Sequence, residues 1–214
     1  MSDPSAKEQL IAMFAKRSFV LGEYKLSSGG TSDYYIDCRM TTLHAEGARL
    51  TGRVVLDAIR EQQWQPEAIG GMTMGADPIV TAVSLLSSQE FKMRDSSRSR
   101  NRVTREIYLN AKLIHGFLVR KAEKAHGTGR RIEGLVQKGA QVVIVDDVCT
   151  TGASTIQAIQ AAREADMNVV GVICLVEREE AGGREAVERA AYPAPFISIF
   201  KASEVRAEHI KNHK

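Results

Sequence analysis

With 214 residues, 43% hydrophobic and 26% charged, the chain has enough material for one α/β domain with a proper core and is short for two. Its net charge of +3 suits anionic substrates as well as plain solubility and does not by itself argue for nucleic acid. No run reaches the length of a membrane span, the amino terminus lacks the basic-then-apolar form of a signal peptide, and Cys38, Cys149 and Cys174 show no C-x-x-C spacing, so a cytoplasmic protein with reduced thiols, no disulfide framework and no zinc site is expected.

In chain order, residues 6–17 carry Leu10, Ile11, Met13 and Phe14 among polar neighbours, which predicts an amphipathic opening helix. Residues 19–39 alternate like two strands around Ser27-Ser28-Gly29-Gly30, a hairpin. Leu50, Val54, Val55 and Ile59 set a helix over 46–59, and a short strand near 66–71 runs into the glycine-rich loop 70–78. Pro78 then suits the first turn of a helix over 79–86. Residues 87–112 turn polar and basic, with Lys92, Arg94, Arg98, Arg100, Arg102 and Arg105. Basic runs can bind RNA, but only Phe91 and Tyr108 flank this one, so it reads as a solvated loop.

Strand character returns over 114–119, followed by Arg120, Lys121, Lys124 and His126 and then Gly127-Thr128-Gly129. Three cations and a histidine before a Gly-Thr-Gly describe a loop able to close on a polyanion, and equally a solvated charged loop. Residues 142–145 are a continuous branched apolar run, the mark of a strand buried on both faces. Asp146 and Asp147 follow, then Val148-Cys149-Thr150-Thr151-Gly152-Ala153-Ser154, then a helix over 155–165. The N–H groups at that helix start, the hydroxyls of Thr150, Thr151 and Ser154, and the freedom of Gly152 suit a phosphate. The two carboxylates would repel the phosphate at contact distance and are better placed to accept hydrogen bonds from sugar hydroxyls beside it. Two acids and three hydroxyl residues around one glycine exceed what a capping turn requires. Another buried strand spans 169–176, and Arg178 stands at its carboxyl edge, where a guanidinium can hold a carboxylate or simply pair with the neighbouring glutamates. Residues 186–190 and 196–200 read as a helix and a closing strand, and the tail through His209 and His213 carries no readable site.

The run Val145-Asp146-Asp147-Val148-Cys149-Thr150-Thr151-Gly152-Ala153-Ser154 resembles the phosphoribosyl diphosphate (PRPP) signature of type I phosphoribosyltransferases. The Arg-Lys-x-x-Lys-x-His loop from Arg120 to His126, Arg178 and the hairpin narrow the resemblance to orotate phosphoribosyltransferase. The resemblance implies an α/β fold with a central, mainly parallel sheet flanked by helices. It is read as one domain over 1–214, with a small hood over about 1–40 and a basic insertion over 87–112. It implies transfer of ribose 5-phosphate from PRPP to orotate in pyrimidine (UMP) biosynthesis. Lys121, Lys124, His126 and Asp147 would be catalytic; these with Arg120, Asp146 and the run Val148 to Ser154 would hold PRPP. Tyr35, Ile36, Thr150 and Arg178 would hold orotate. Mg²⁺ would be carried mainly through PRPP, without direct protein ligands, and the loop would reach across a homodimer with shared sites. Nucleic acid and membrane are not expected partners. The chain departs from the resemblance at Ser27 and Met74, where many relatives carry basic residues. Two rivals stand beside this reading: a phosphoribosyltransferase for another base, and a PRPP-sensing RNA-binding regulator on the same fold.

Overall fold

The computed structural model describes residues 4–25, 30–94, 111–121 and 131–212. Ser27, Lys124, His126, His213 and the basic stretch 95–110 lie outside the described residues. Among the described residues the central sheet has six strands: β3 (Ala68–Met72), β4 (His115–Val119), β5 (Ile132–Gly134), β6 (Gln141–Cys149), β7 (Asn168–Glu177) and β8 (Phe196–Lys201). Their order is β5-β4-β3-β6-β7-β8, and all pairs are parallel except β4 with β5. The helices are α1 (Ala6–Arg17), α2 (Arg39–Thr42), α3 (Ala45–Glu61), α4 (Asp77–Arg94), α5 (Ala153–Glu164), α6 (Gly183–Ala191) and α7 (Ala202–Asn212). A separate antiparallel hairpin, β1 (Phe19–Lys25) with β2 (Thr31–Ile36), forms as expected over 19–39 and is called the hood below.

The branched run in β6 feeds two cores, because successive strand residues face opposite sides. Val143 and Val145 join Ile69, Ile173 and Leu175 against α1, α3 and α4. Val142 and Ile144 join Val172 and Cys174 against Ala158, Ile159 and Ala162 of α5 and Val187 of α6. Helices on both faces bury the central strands β3, β6 and β7 over most of their length, which is why these strands lack polar alternation. The Ser5 hydroxyl and the Glu8 carboxylate cap α1 reciprocally, so its start is set locally.

Two elements differ from the sequence expectation, and the tail, for which none was read, forms a helix. α4 does not stop at residue 86 but runs to Arg94, and Ser87 and Glu90 on its continuation are buried. Glu90 is paired with Arg53 and Arg60 of α3, and the Ser87 hydroxyl accepts the Ile114 N–H, so polar composition there reflects buried pairing instead of a solvated loop. The acid pair lies within β6, since the strand continues to Cys149. The tail forms α7, whose Val205 is buried against α1 and whose His209 Nδ1 lies 2.6 Å from the Ala15 carbonyl.

Candidate active site

The carboxyl ends of β3, β6 and β7, the hood strand β2 and the first residues after β4 enclose a cleft of about 770 Å³. Asp146 and Asp147 form part of its wall, with Thr150, Thr151 and Ser154 just beyond them. The Thr155 hydroxyl donates to Asp146 Oδ2 at 2.6 Å, and the Asp147 N–H donates to Asp146 Oδ1 at 3.0 Å. Burial dominates and pushes the Asp146 carboxyl up to about 7, against the pull of the Thr155 hydrogen bond and with help from the charge on Asp147. Burial also raises Asp147, whose Oδ1 accepts the Val148 N–H at 3.0 Å. A Cβ at Gly75 would lie 2.4 Å from that same oxygen, so only glycine lets the loop after β3 approach the acid.

Gly152 has φ +76° and precedes α5 with no side-chain cap, which leaves the first-turn N–H groups uncapped by any side chain. A Cβ there would sit 2.5 Å from Val187 Cγ2, and one on Gly183 would sit 2.3 Å from the Thr150 carbonyl. The hydroxyl loop is therefore wedged against the start of α6. That helix is held by Arg184, which donates to Glu177 Oε1 at 2.7 Å and stacks over Phe196, while the Ser198 hydroxyl donates to Glu177 Oε2 at 2.8 Å. These bonds, Arg184 first, hold the Glu177 carboxyl below the usual carboxylate range.

At the other end of the cleft, half-exposed Tyr35 and buried Ile36 stand near Arg178. Arg178 is only 7% exposed, and its backbone N–H donates to the Cys149 carbonyl at 2.9 Å, tying it to the hydroxyl loop. Its Nη2 donates to Ser32 Oγ at 2.8 Å and its Nε to Tyr34 Oη at 3.1 Å, while the guanidinium lies 4.5 Å from the Tyr34 ring centre.

Of the residues singled out in the sequence, Tyr35, Ile36, Lys121, Asp146, Asp147, Val148, Thr150, Thr151, Ser154 and Arg178 line this one cleft. Arg120, Cys149, Gly152 and Ala153 do not line it. Arg120 pairs with Glu133 at 3.2 Å, and Cys149 packs into the core beside Cys174, filling an apolar slot. Sequence reasoning missed Lys25, Asp37 and Arg39, which also line the cleft. Arg39 grips Asp37 through Nε at 2.9 Å and Nη2 at 3.0 Å, and this pair holds Asp37 below and Arg39 above their ordinary pKa ranges. An Asp-x-Arg closing the predicted hairpin was the available signal. Met74, 68% exposed on the cleft loop, brings no charge, whereas Lys25, Arg39 and Lys121 do.

Among the described residues no group of three or more His, Cys, Asp or Glu side chains could hold a metal ion. Asp146 and Asp147 nevertheless offer carboxylate oxygens, the donor type a hard divalent cation takes, in a cleft where substrate oxygens and water could complete the shell. No helix among the described residues is long and apolar enough to cross a membrane.

The phosphoribosyl transferase domain profile matches residues 93–193. An orotate phosphoribosyltransferase of Aquifex aeolicus is 38% identical over 202 residues, covering 93% of this chain and 97% of its own. The crystal structure of the Mycobacterium tuberculosis orotate phosphoribosyltransferase with Fe(III) dicitrate superposes with a TM-score of 0.71 at 32% identity, covering 94% of this chain and 99% of that one. The same M. tuberculosis enzyme in complex with PRPP gives a TM-score of 0.68 at 28% identity over 94% of this chain and 99% of that one. Identity of that order along nearly the whole of both sequences, on the same fold and around one acid-lined cleft, establishes that this chain belongs to the orotate phosphoribosyltransferase family.

Proposed function

We propose that this chain transfers ribose 5-phosphate from PRPP to a ring nitrogen of orotate, giving orotidine 5'-monophosphate and diphosphate in pyrimidine biosynthesis. The observation that carries the reading is the acid pair at the end of β6, followed immediately by the Thr150–Ser154 loop and facing Arg178 across one cleft. Asp146 and Asp147 accept the ribose hydroxyls and orient the ring, and the loop amides and hydroxyls hold the 5-phosphate. Arg178 meets the orotate carboxylate, and Tyr35 and Ile36 cover the pyrimidine. The bond from the anomeric carbon to diphosphate breaks, the new bond to nitrogen forms, and the nitrogen's proton leaves to solvent. Positive charge grows on the ribose as the first bond loosens, so the neighbouring carboxylates stabilise that state more than the ground state.

Lys121, with Lys124 and His126 of the same loop, meets the departing diphosphate. Lys25 and Arg39 bring to the cleft the cationic charge that Met74 does not. Mg²⁺ would be carried mainly by oxygens of PRPP and water, leaving Asp146 and Asp147 to the ribose, and would neutralise charge on the diphosphate when bound. If Arg39 serves diphosphate, Arg39→Ala raises KM for PRPP about fivefold and leaves KM for orotate nearly constant; steady-state kinetics with each substrate varied in turn checks this.

The whole chain acts as one catalytic domain in the cytoplasm, as a homodimer with the 120–131 loop reaching the neighbouring site. An apolar groove of about 630 Å³ between α3 and α4, with Leu43 69% and Leu85 59% exposed, supports a second copy on that face. Mixing Lys124→Ala with Asp147→Asn subunits then restores part of the activity, and no recovery after confirmed subunit exchange counts against sharing. The activity is tested by the loss of orotate absorbance on adding PRPP and Mg²⁺, run beside a panel of other bases. Consumption of a different base in preference to orotate would replace the substrate assignment.

A further inference from the structure

Arg178 is a long, flexible cation buried at the base end of the cleft, and the direction of its N–H groups decides what it can recognise. Glu180, two residues on and half exposed in the single turn Glu179–Ala181, places Oε1 against the outer edge of the guanidinium. That one oxygen accepts Arg178 Nε at 3.2 Å, Arg178 Nη2 at 3.1 Å and the Tyr34 hydroxyl. The Ser32 hydroxyl accepts from Nη2 on the same edge and donates onward to the Tyr34 carbonyl at 2.8 Å. Neither Ser32, Tyr34 nor Glu180 lines the cleft, whereas Arg178 does. The Nε–Nη2 edge is therefore held from behind, and Nη1, with no hydrogen-bond partner among the described residues, is the donor left for the cleft.

We infer that Glu180 is a positioning residue for recognition of the anionic base: its carboxylate clamps Arg178 to the hood through Tyr34 and so aims Nη1 at the substrate carboxylate. The inference rests on the reading of Arg178 as the orotate contact. Burial works against ionisation of Glu180, and the Tyr34 hydroxyl and Arg178 more than offset it, so the group stays charged and the clamp persists at neutral pH. Tyr34, by contrast, is pushed up to about 12, chiefly by burial and then by the Glu180 bond, so it remains a donor throughout the working range. A carboxylate here also lowers the net charge at Arg178, so the base would be selected by aligned hydrogen bonds more than by bulk attraction. The clamp spans the hood and the loop after β7, so it also ties the strand carrying Tyr35 and Ile36 to the arginine that shares their ligand.

The test is steady-state kinetics on the full-length protein with orotate and PRPP varied in turn, accompanied by thermal melts. Glu180→Ala raises KM for orotate about fivefold, with a much smaller change in KM for PRPP. Glu180→Gln, which keeps an acceptor at the same place, recovers most of the loss. Glu180→Ala added to Arg178→Ala costs nothing further, because the two act as one unit. An unchanged or lowered KM for orotate in Glu180→Ala overturns the proposal, the latter by showing a competing anion instead of a clamp. Equal losses for both substrates with a falling Tm also overturn it, as plain structural support. Should Glu180→Ala fail to fold, Tyr34→Phe removes the hydroxyl that donates to the same oxygen and must shift KM for orotate in the same direction. If Arg178→Ala itself leaves KM for orotate unchanged, the underlying assignment of Arg178 fails; if only Glu180→Ala does, the clamp alone fails.

Discussion

Asp147→Asn is expected to lower turnover with PRPP and orotate by at least about tenfold, which is about 1.4 kcal/mol in the barrier. Asparagine is nearly isosteric and can still accept the Val148 N–H through Oδ1, and it leaves Gly75 as closely packed as before, so the fold should survive. On the proposed reading, what disappears is the negative charge beside the sugar. That charge matters most when the anomeric carbon becomes positive, so the loss should fall on turnover more than on KM for PRPP. Steady-state kinetics with purified variant checks it, and unchanged kinetics would remove Asp147 from the site.

The second large effect is on stability, and its sign changes with pH. Asp146 ionises at about 7 in the folded protein against an ordinary 3.8, so between those values the folded state binds more protons than the unfolded state. Stability contributed by this group is therefore complete below about pH 4 and is lost as pH rises through about 7. At about 1.36 kcal/mol per pH unit, the penalty carried by the ionised, buried carboxylate above pH 7 is on the order of 4 kcal/mol. Asp146→Asn removes that penalty but gives up one of two accepted bonds, from Thr155 or from the Asp147 N–H, at about 1 to 2 kcal/mol. The substrate-free, metal-free variant should thus be more stable than the parent at pH 8 and less stable near pH 4. Denaturant titrations at both values check it; a variant less stable at both would mean that Asp146 is well accommodated as an anion. Activity should fall in the same variant, the usual cost of relieving an electrostatically strained site.

The β6 stretch was legible in sequence because everything it needs is local. A branched apolar run, two acids, a hydroxyl-rich turn and a helix follow one another, and the structure keeps them contiguous from Gln141 to Glu164. Arg178 was legible for the same reason, being the residue that follows β7. The clamp behind it was not, since Ser32 and Tyr34 meet Arg178 across about 145 positions of sequence and no periodicity encodes that meeting. Nor was the continuation of α4: Ser87 and Glu90 look like solvent-facing residues until Arg53, Arg60 and the Ile114 amide are brought beside them. Lys25 ends β1 and Arg39 opens α2, and only the packing of the hairpin beside the sheet brings them into one cleft with the acids. Local pattern specified the strands, the loop and the helices; side-chain partners across elements had to come from the fold.

The account stands on the division of labour between two acids and the turn that follows them, and a crystal structure with bound PRPP or orotidine 5'-monophosphate tests it most directly. The predicted result is a pentose whose hydroxyls lie within hydrogen-bonding distance of Asp146 and Asp147, with its phosphate against the amides of Thr151 to Ser154. A nucleotide seated with its sugar away from that carboxylate pair would contradict it.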